Sequence, residues 1–136
     1  MVKDRLFKKA FAIELFRIAE NDLQAARTLA SDPLVRRETA LLMVQQSIEK
    51  AFKAVLCKHE IPIPQTHDLS LIVDRINASS TQLPALIANT DFDELTPFAT
   101  LRRYEEGHFE IVDDDMAGAI TLAERVLDWV RAEIVT

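Results

Sequence analysis

The chain contains little cysteine and little glycine. Of its 136 residues, one is cysteine (Cys57) and two are glycine (Gly107 and Gly118). A lone cysteine excludes a disulfide framework and a cysteine-rich zinc site, and it is typical of a reducing compartment. Two glycines exclude a glycine-rich loop that cradles phosphates. With only five prolines as well, the chain has too few turn-forming residues for a loop-rich β-sandwich.

The chain also lacks a long apolar run and a surplus of basic residues. No stretch of about 18 apolar residues is present, so the sequence predicts no membrane span. Charged residues interrupt the segment after Met1, which does not resemble a signal peptide. The formal net charge is −6, whereas a protein that wraps duplex DNA needs an excess of basic side chains. We therefore expect a cytoplasmic protein that contacts neither membranes nor duplex DNA.

The charges are distributed unevenly along the chain. Residues 1–60 carry 11 basic and 8 acidic side chains, whereas residues 61–136 carry 5 basic and 14 acidic ones. Solvated helix faces account for most of these charges. The asymmetry still leaves room for a local basic strip, or for association of one half of the molecule with the other half of a second copy.

Apolar residues recur at helical spacing through most of the chain, and 49% of the residues are hydrophobic. The pattern predicts three long helices. The first begins near Phe11, the second runs from about Leu34 to His59, and the last begins at the acidic run 113–115. Asp32 is expected to cap the second helix, because aspartate is a preferred N-cap residue and Pro33 suits the first helical position.

Shorter helices are predicted between the long ones. Thr66 or Asp68 is expected to cap one helix, and Asp91 with Glu94 has the spacing of a variant capping box that starts another. No β-hairpin signal and no internal repeat is found in the sequence. The predicted fold is all-α, a compact up-and-down bundle of three long helices and two or three short ones. We expect residues 1–136 to form a single domain.

The densest cluster of reactive side chains runs from Arg102 to His108. Arginine offers a fixed fork of donors for phosphate, and histidine exchanges a proton near neutral pH. Cleavage of RNA without a metal needs both, because a base removes the 2′-hydroxyl proton while a cation stabilises charge on the phosphate. On an unbroken helix Arg103 and His108 lie about 140° apart. They converge only if Gly107 ends the helix or if a second subunit completes the site.

The same cluster has a structural interpretation, in which Arg102 and Arg103 form ion pairs with Glu105 and Glu106 at an exposed helix end. Both interpretations stay open at this point. The His67–Asp68 pair is likewise either a contact for a nucleotide or a structural turn. We favour the structural role, with Thr66 or Asp68 capping the next helix and His67 hydrogen-bonded beside it.

The three histidines do not predict a metal site. Glu105 and His108 supply one Glu-x-x-His spacing, whereas a di-iron bundle requires the motif on two facing helices. The positions of His59, His67 and His108 do not fit the ligand spacing of a zinc site. We expect neither a metal nor a cofactor.

Several segments, taken in order, resemble the HEPN family of small helical domains. They are the sequences AENDL at 19–23, QQSIEKAFKA at 45–54 and THDL at 66–69, then Arg103-Tyr104, Ala123-Glu124 and Trp129-Val130. The resemblance implies an up-and-down bundle that usually forms a homodimer. Many members of this family are metal-independent ribonucleases, and these are often toxins paired with a minimal nucleotidyltransferase.

The resemblance also implies the site residues. The family motif is an arginine followed, after four to six residues, by a histidine. Arg103 and His108 match with four residues between them, and Arg102 and His108 match with five. Arg103 and His108 are then the catalytic residues, and Arg102 and Tyr104 bind the substrate. In the family two copies of the motif face each other across the dimer.

These observations lead to two main hypotheses. The first is a dimeric ribonuclease that acts on single-stranded RNA and is held in check by a minimal nucleotidyltransferase. The second is a non-catalytic bundle that binds a nucleotide, or serves as an adaptor that docks a minimal nucleotidyltransferase. A third, a helical bundle of unrelated function, follows from the rule that a fold does not fix a function.

Overall fold

Helices dominate the computed structural model, which describes residues 3–79, 81–95, 105–107 and 111–135. The all-α prediction is therefore confirmed. The elements with described bounds are strand β1 (Asp4–Arg5), helix α1 (Phe11–Ser31), helix α2 (Arg37–Lys58), strand β2 (Ile63–Pro64), helix α3 (Leu69–Asn77), helix α4 (Ala85–Ala88), a 3-10 helix (Phe92–Leu95) and helix α5 (Asp113–Ile134).

Helix α2 lies at the centre of the bundle and is buried on nearly every side. Its buried residues include three polar ones, Gln45, Ser47 and Glu49, besides the apolar ones. By contrast, α1 and α5 each bury one apolar stripe against it. Every helix longer than eight residues in the described chain packs on α2. The buried apolar residues form one continuous core.

Small side chains let α1 approach α2 closely. Ala12, Ala19 and Ala26 recur every seven residues on the buried stripe of α1 and are almost completely shielded from solvent. At this contact the Ser47 hydroxyl donates to the Ala19 carbonyl at 2.7 Å. Lys50 adds an ion pair with Asp22 at 2.5 Å. Alanines at the contact allow a short interaxial distance, and the two polar bonds fix the register of α1 along α2.

The N-terminus of α3 is capped as the sequence predicts. The Asp68 carboxylate accepts hydrogen bonds from the backbone N–H groups of Ser70 at 3.1 Å and Leu71 at 3.3 Å. Thr66 contributes differently, because its hydroxyl accepts the backbone N–H of Asp68 at 3.1 Å. Asp68 is therefore the N-cap residue of α3. Thr66 holds the backbone of Asp68 and does not cap the helix itself.

A short antiparallel pair joins the first described residues to the turn after α2. Asp4 pairs with Pro64, and Arg5 pairs with Ile63. The Arg75 guanidinium strengthens this junction, because it contacts both carboxylate oxygens of Asp4, at 2.9 and 3.3 Å. Strands of two residues show no alternation of apolar and polar side chains, so the sequence pattern did not predict them.

The predicted start of α2 is wrong by about one turn. Asp32 caps a turn and not the helix: its carboxylate accepts the Leu34 N–H at 2.9 Å, and its carbonyl accepts the Val35 N–H at 3.1 Å. The helix begins at Arg37 after the extended residue Arg36. A local hydrogen bond from the Asp32 side chain therefore competes with helix initiation.

The capping signal at Asp91 leads to a 3-10 helix within the described residues. Its carboxylate accepts the Asp93 N–H at 3.0 Å, and Phe92–Leu95 follow as a single 3-10 turn. The later part of the predicted helix lies outside the described residues. Phe92 packs edge-on against Phe52 of α2, with ring centroids 5.3 Å apart, so the turn is held to the core.

None of the helices in the described parts of the chain combines the length and the apolar character that crossing a bilayer requires.

Truncation of Phe52 should destabilise the protein strongly. Phe52 is fully buried and contacts Phe92, so Phe52→Ala leaves a cavity at the centre of the bundle. We expect a loss of about 3–5 kcal/mol in the free energy of unfolding, measured by urea denaturation. Phe11→Ala is the matched control: Phe11 is 40% exposed and stacks on Phe7, so its loss should cost about 1 kcal/mol. Equal losses of unfolding free energy in Phe52→Ala and Phe11→Ala would contradict a core centred on α2.

Candidate functional site

The segment that carries the arginine–histidine motif is described at three residues. The four site residues inferred from the sequence and the family resemblance lie outside the described residues: Arg102, Arg103, Tyr104 and His108. Between them, Glu105 is helical, Glu106 and Gly107 form a turn, and all three are exposed. Gly107 has a φ of +87°, in the left-handed region that favours glycine. Such a glycine commonly ends a helix, and the helical residue Glu105 is followed here by a turn at Glu106 and Gly107.

A groove of about 590 Å³ lies beside this turn. Glu106 lines it, which places the turn at the edge of the groove. The remaining described lining residues come from α2, from the 3-10 helix and Asp91 just before it, from α5, and from Ile111. The apolar ones include Leu41, Leu95, Ile111 and Leu122, and the charged ones are Asp91, Glu94 and Asp115, in addition to Glu106.

The charged side chains that line the groove, as far as the structure describes it, are all acidic. A phosphate group next to carboxylates is repelled, whereas an apolar floor favours contact with a protein surface or an apolar ligand. The described part of the groove lining is therefore unfavourable for a phosphate backbone.

Arg37 connects the start of α2 to the start of α5. Its Nη1 atom donates to the Ile111 carbonyl at 2.5 Å, and its Nη2 atom donates to the Asp113 carboxylate. These acceptors are more than seventy residues away in the sequence. Sequence reasoning missed Arg37, because nothing in the local pattern marks it and its partners belong to another helix.

Glu49 is a buried carboxylate with two basic partners. One oxygen accepts from Lys53 Nζ at 3.0 Å, and the other lies 2.9 Å from His67 Nδ1. The Glu49 side chain is 10% exposed, whereas the His67 ring is 88% exposed. The predicted cap by Asp68 and the predicted hydrogen bond of His67 are confirmed. The bond ties the turn before α3 to the central helix.

Metal binding finds no support among the residues that the structure describes, since they contain no group of three or more histidine, cysteine or carboxylate side chains close enough to hold an ion. His59 is paired with Glu133 at 3.2 Å, and His67 with Glu49. Cys57 is buried, and its thiol donates to the Lys8 carbonyl at 3.0 Å. Burial raises the pKa of the Cys57 thiol, so this thiol stays protonated at neutral pH and is a poor nucleophile.

Comparison with known families agrees with the helical bundle. The HEPN domain family model matches residues 12–133, which extends from the first turn of α1 to the last turn of α5. The chain belongs to the HEPN family. No curated protein and no solved structure was found to match it.

Neutralisation of Glu49 should weaken the protein although the side chain keeps its shape. Glu49→Gln removes the charge that Lys53 and His67 face, and Lys53 is 16% exposed, so its ammonium loses a largely buried partner. We expect about 1–3 kcal/mol less stability in urea denaturation at neutral pH. Glu14→Gln serves as the control, since the Glu14–Arg17 pair is exposed and should cost about 0.5 kcal/mol or less. If Glu49→Gln and Glu14→Gln both unfold at the same urea midpoint as the parent, Glu49 does not stabilise the junction between α2 and the turn before α3.

Proposed function

We propose that this HEPN protein is a metal-independent endoribonuclease that acts as a homodimer, with Arg103 and His108 as its catalytic residues. The observation that carries the proposal is the left-handed conformation of Gly107 between them. An unbroken helix would hold the two side chains about 140° apart. A turn at Gly107 removes that constraint and allows a guanidinium and an imidazole to approach the same phosphate.

The proposed chemistry needs no metal. The His108 imidazole takes the proton of the 2′-hydroxyl, and the 2′-oxygen attacks the adjacent phosphorus. Arg103 stabilises the negative charge that gathers on the phosphate oxygens. The 5′-oxygen leaves with a proton and becomes a free hydroxyl, while the other fragment keeps a 2′,3′-cyclic phosphate. Arg102 and Tyr104 bind and orient the RNA.

A second copy of the chain completes the proposed site. HEPN domains commonly dimerise, and two facing motifs supply two imidazoles, so one acts as base while the other protonates the leaving oxygen. In this proposal the protein is a cytoplasmic toxin whose activity is controlled by a minimal nucleotidyltransferase. The target is single-stranded RNA, because a flexible strand can reach the motif without entering the acidic groove.

Cleavage of RNA should depend on His108 and not on a metal. We expect the purified protein to cut single-stranded RNA in the presence of EDTA and to leave 2′,3′-cyclic phosphate ends. His108→Ala should lower the rate by about 10²- to 10⁴-fold, which is the usual contribution of general acid–base catalysis. Arg103→Ala should lower it by about 10²-fold or more, through the lost charge stabilisation. Product ends are identified by mass spectrometry.

His59→Ala is the matched control for this experiment. His59 is paired with Glu133 at the end of α2, remote in sequence from the motif, and its removal should leave the cleavage rate unchanged. Cleavage by His108→Ala at the rate of the parent would show that His108 is not the base. Activity that disappears with EDTA would contradict the metal-independent mechanism.

The acidic groove supports a second candidate function, the non-catalytic adaptor. A groove with an apolar floor and carboxylates at its edge suits a protein surface better than an RNA backbone. The adaptor predicts no RNA cleavage, measurable affinity for a nucleotide or a minimal nucleotidyltransferase, and normal growth when the chain is expressed strongly by itself. A ribonuclease toxin predicts growth arrest in the same test, so expression alone separates the two candidates.

A further inference from the structure

We propose that Arg37 is a positioning residue for the segment that carries His108. Its guanidinium fixes the chain at Ile111 and Asp113, which follow His108 by three and five residues. The effect on catalysis rests on the proposed function, whereas the effect on the placement of His108 does not.

The Ile111 carbonyl needs a partner from outside α5. The first backbone bond of that helix runs from the Met116 N–H to the Val112 carbonyl at 3.1 Å, so the Ile111 carbonyl precedes the helical ladder. Ile111 itself is 7% exposed, and a buried carbonyl without a donor is unfavourable. Arg37 Nη1 supplies that donor at 2.5 Å.

The planar guanidinium suits this role because it contacts two acceptors at once. Nη1 holds the Ile111 carbonyl, while Nη2 holds the Asp113 carboxylate. Two parallel donors fix the direction as well as the distance of the bound segment, whereas the single ammonium of a lysine does not. Residues 111–113 are therefore clamped at two points on either side of Val112.

An arginine at the position of Arg37 is unfavourable for α2 taken by itself. Arg37 is the first residue of α2, where the positive end of the helix dipole disfavours a cation. Asp113 is the first residue of α5, where a carboxylate is favoured for the same reason. The ion pair between Arg37 and Asp113 offsets the unfavourable interaction of Arg37 with the dipole of α2. It also brings the starts of α2 and α5 together.

His108 lies close enough along the chain to respond to this clamp. Three peptide links separate it from Ile111, so a shift of Ile111 is transmitted through about 11 Å of chain or less. A displacement of about 1 Å at a reacting group is enough to reduce catalysis strongly. The Arg37 side chain is 42% exposed and the Asp113 side chain 88% exposed, so the ion pair itself contributes little to global stability.

The cleavage assay tests the catalytic effect with Arg37→Gln. We expect kcat to fall by about tenfold with KM unchanged, because the substrate still binds while the acid–base group is misplaced. The kcat of Arg37→Lys should lie between those of the parent and Arg37→Gln, since lysine restores the charge but not the two parallel donors of the guanidinium. Arg17→Gln is the control: Arg17 lies on α1, is paired with Glu14 at 2.9 Å and should keep the parent rate. The thermal midpoint of each variant should stay within about 3 °C of the parent.

A second measurement does not depend on cleavage. The imidazole Cε1–H signals of the protein are followed by NMR through a pH titration. In Arg37→Gln the His108 signal should shift by more than its line width, with a changed titration midpoint. The signals of His59 and His67 should stay in place, because Glu133 and Glu49 hold them. Arg17→Gln should move none of the three.

The two measurements separate the two proposals. If the parent does not cleave RNA but Arg37→Gln moves the His108 signal, the ribonuclease proposal fails and the positioning role stands. If the His108 signal and its midpoint are the same in Arg37→Gln and the parent, the positioning role is wrong, whether or not the protein cleaves RNA. A loss of kcat equal in Arg17→Gln and Arg37→Gln would also overturn it.

Discussion

The burial of α2 on nearly every side is the constraint on which the rest of the structure depends. A helix with no broad solvent face must be covered by other elements, and α1, α3 and α5 provide that cover. Its polar residues then have to find partners inside the bundle. Ser47 bonds to the α1 backbone, and Glu49 bonds to the turn before α3. Each of these bonds fixes one neighbour, so packing on α2 also specifies where the neighbours lie.

Local patterns in the sequence predicted the helices well, because their causes lie within a few residues. The apolar stripe of α1 and the acidic start of α5 lie where the pattern places them. The Asp68 cap was also predictable, since the carboxylate bonds to N–H groups two and three residues later. Asp32 shows the limit of this method. It has the right residue type for a helix cap, and yet its side chain stabilises a turn instead.

Contacts between distant residues could not be derived from such patterns. Arg37 meets Ile111 and Asp113 across more than seventy residues, and the groove combines residues from α2, the 3-10 helix and α5. The cluster from Arg102 to His108 was visible in the sequence, and its catalytic roles were inferred from the family resemblance; the family match shows the family. Among the described residues of this segment, Gly107 is a local signal with a structural consequence, because a glycine at a helix end commonly adopts the left-handed conformation.

The pairing of β1 with β2 has a consequence for how the chain assembles. Asp4 and Arg5 leave the ribosome about sixty residues before their partners Ile63 and Pro64, and Arg75 follows later still. Closing so long a loop costs chain entropy that a two-residue ladder cannot offset. We therefore expect β1 to pair with β2 only after α1 and α2 have docked and α3 has been synthesised. The formation of this pair reports that the amino-terminal half of the bundle has come together, which makes the amide protons of this ladder natural probes of that docking step.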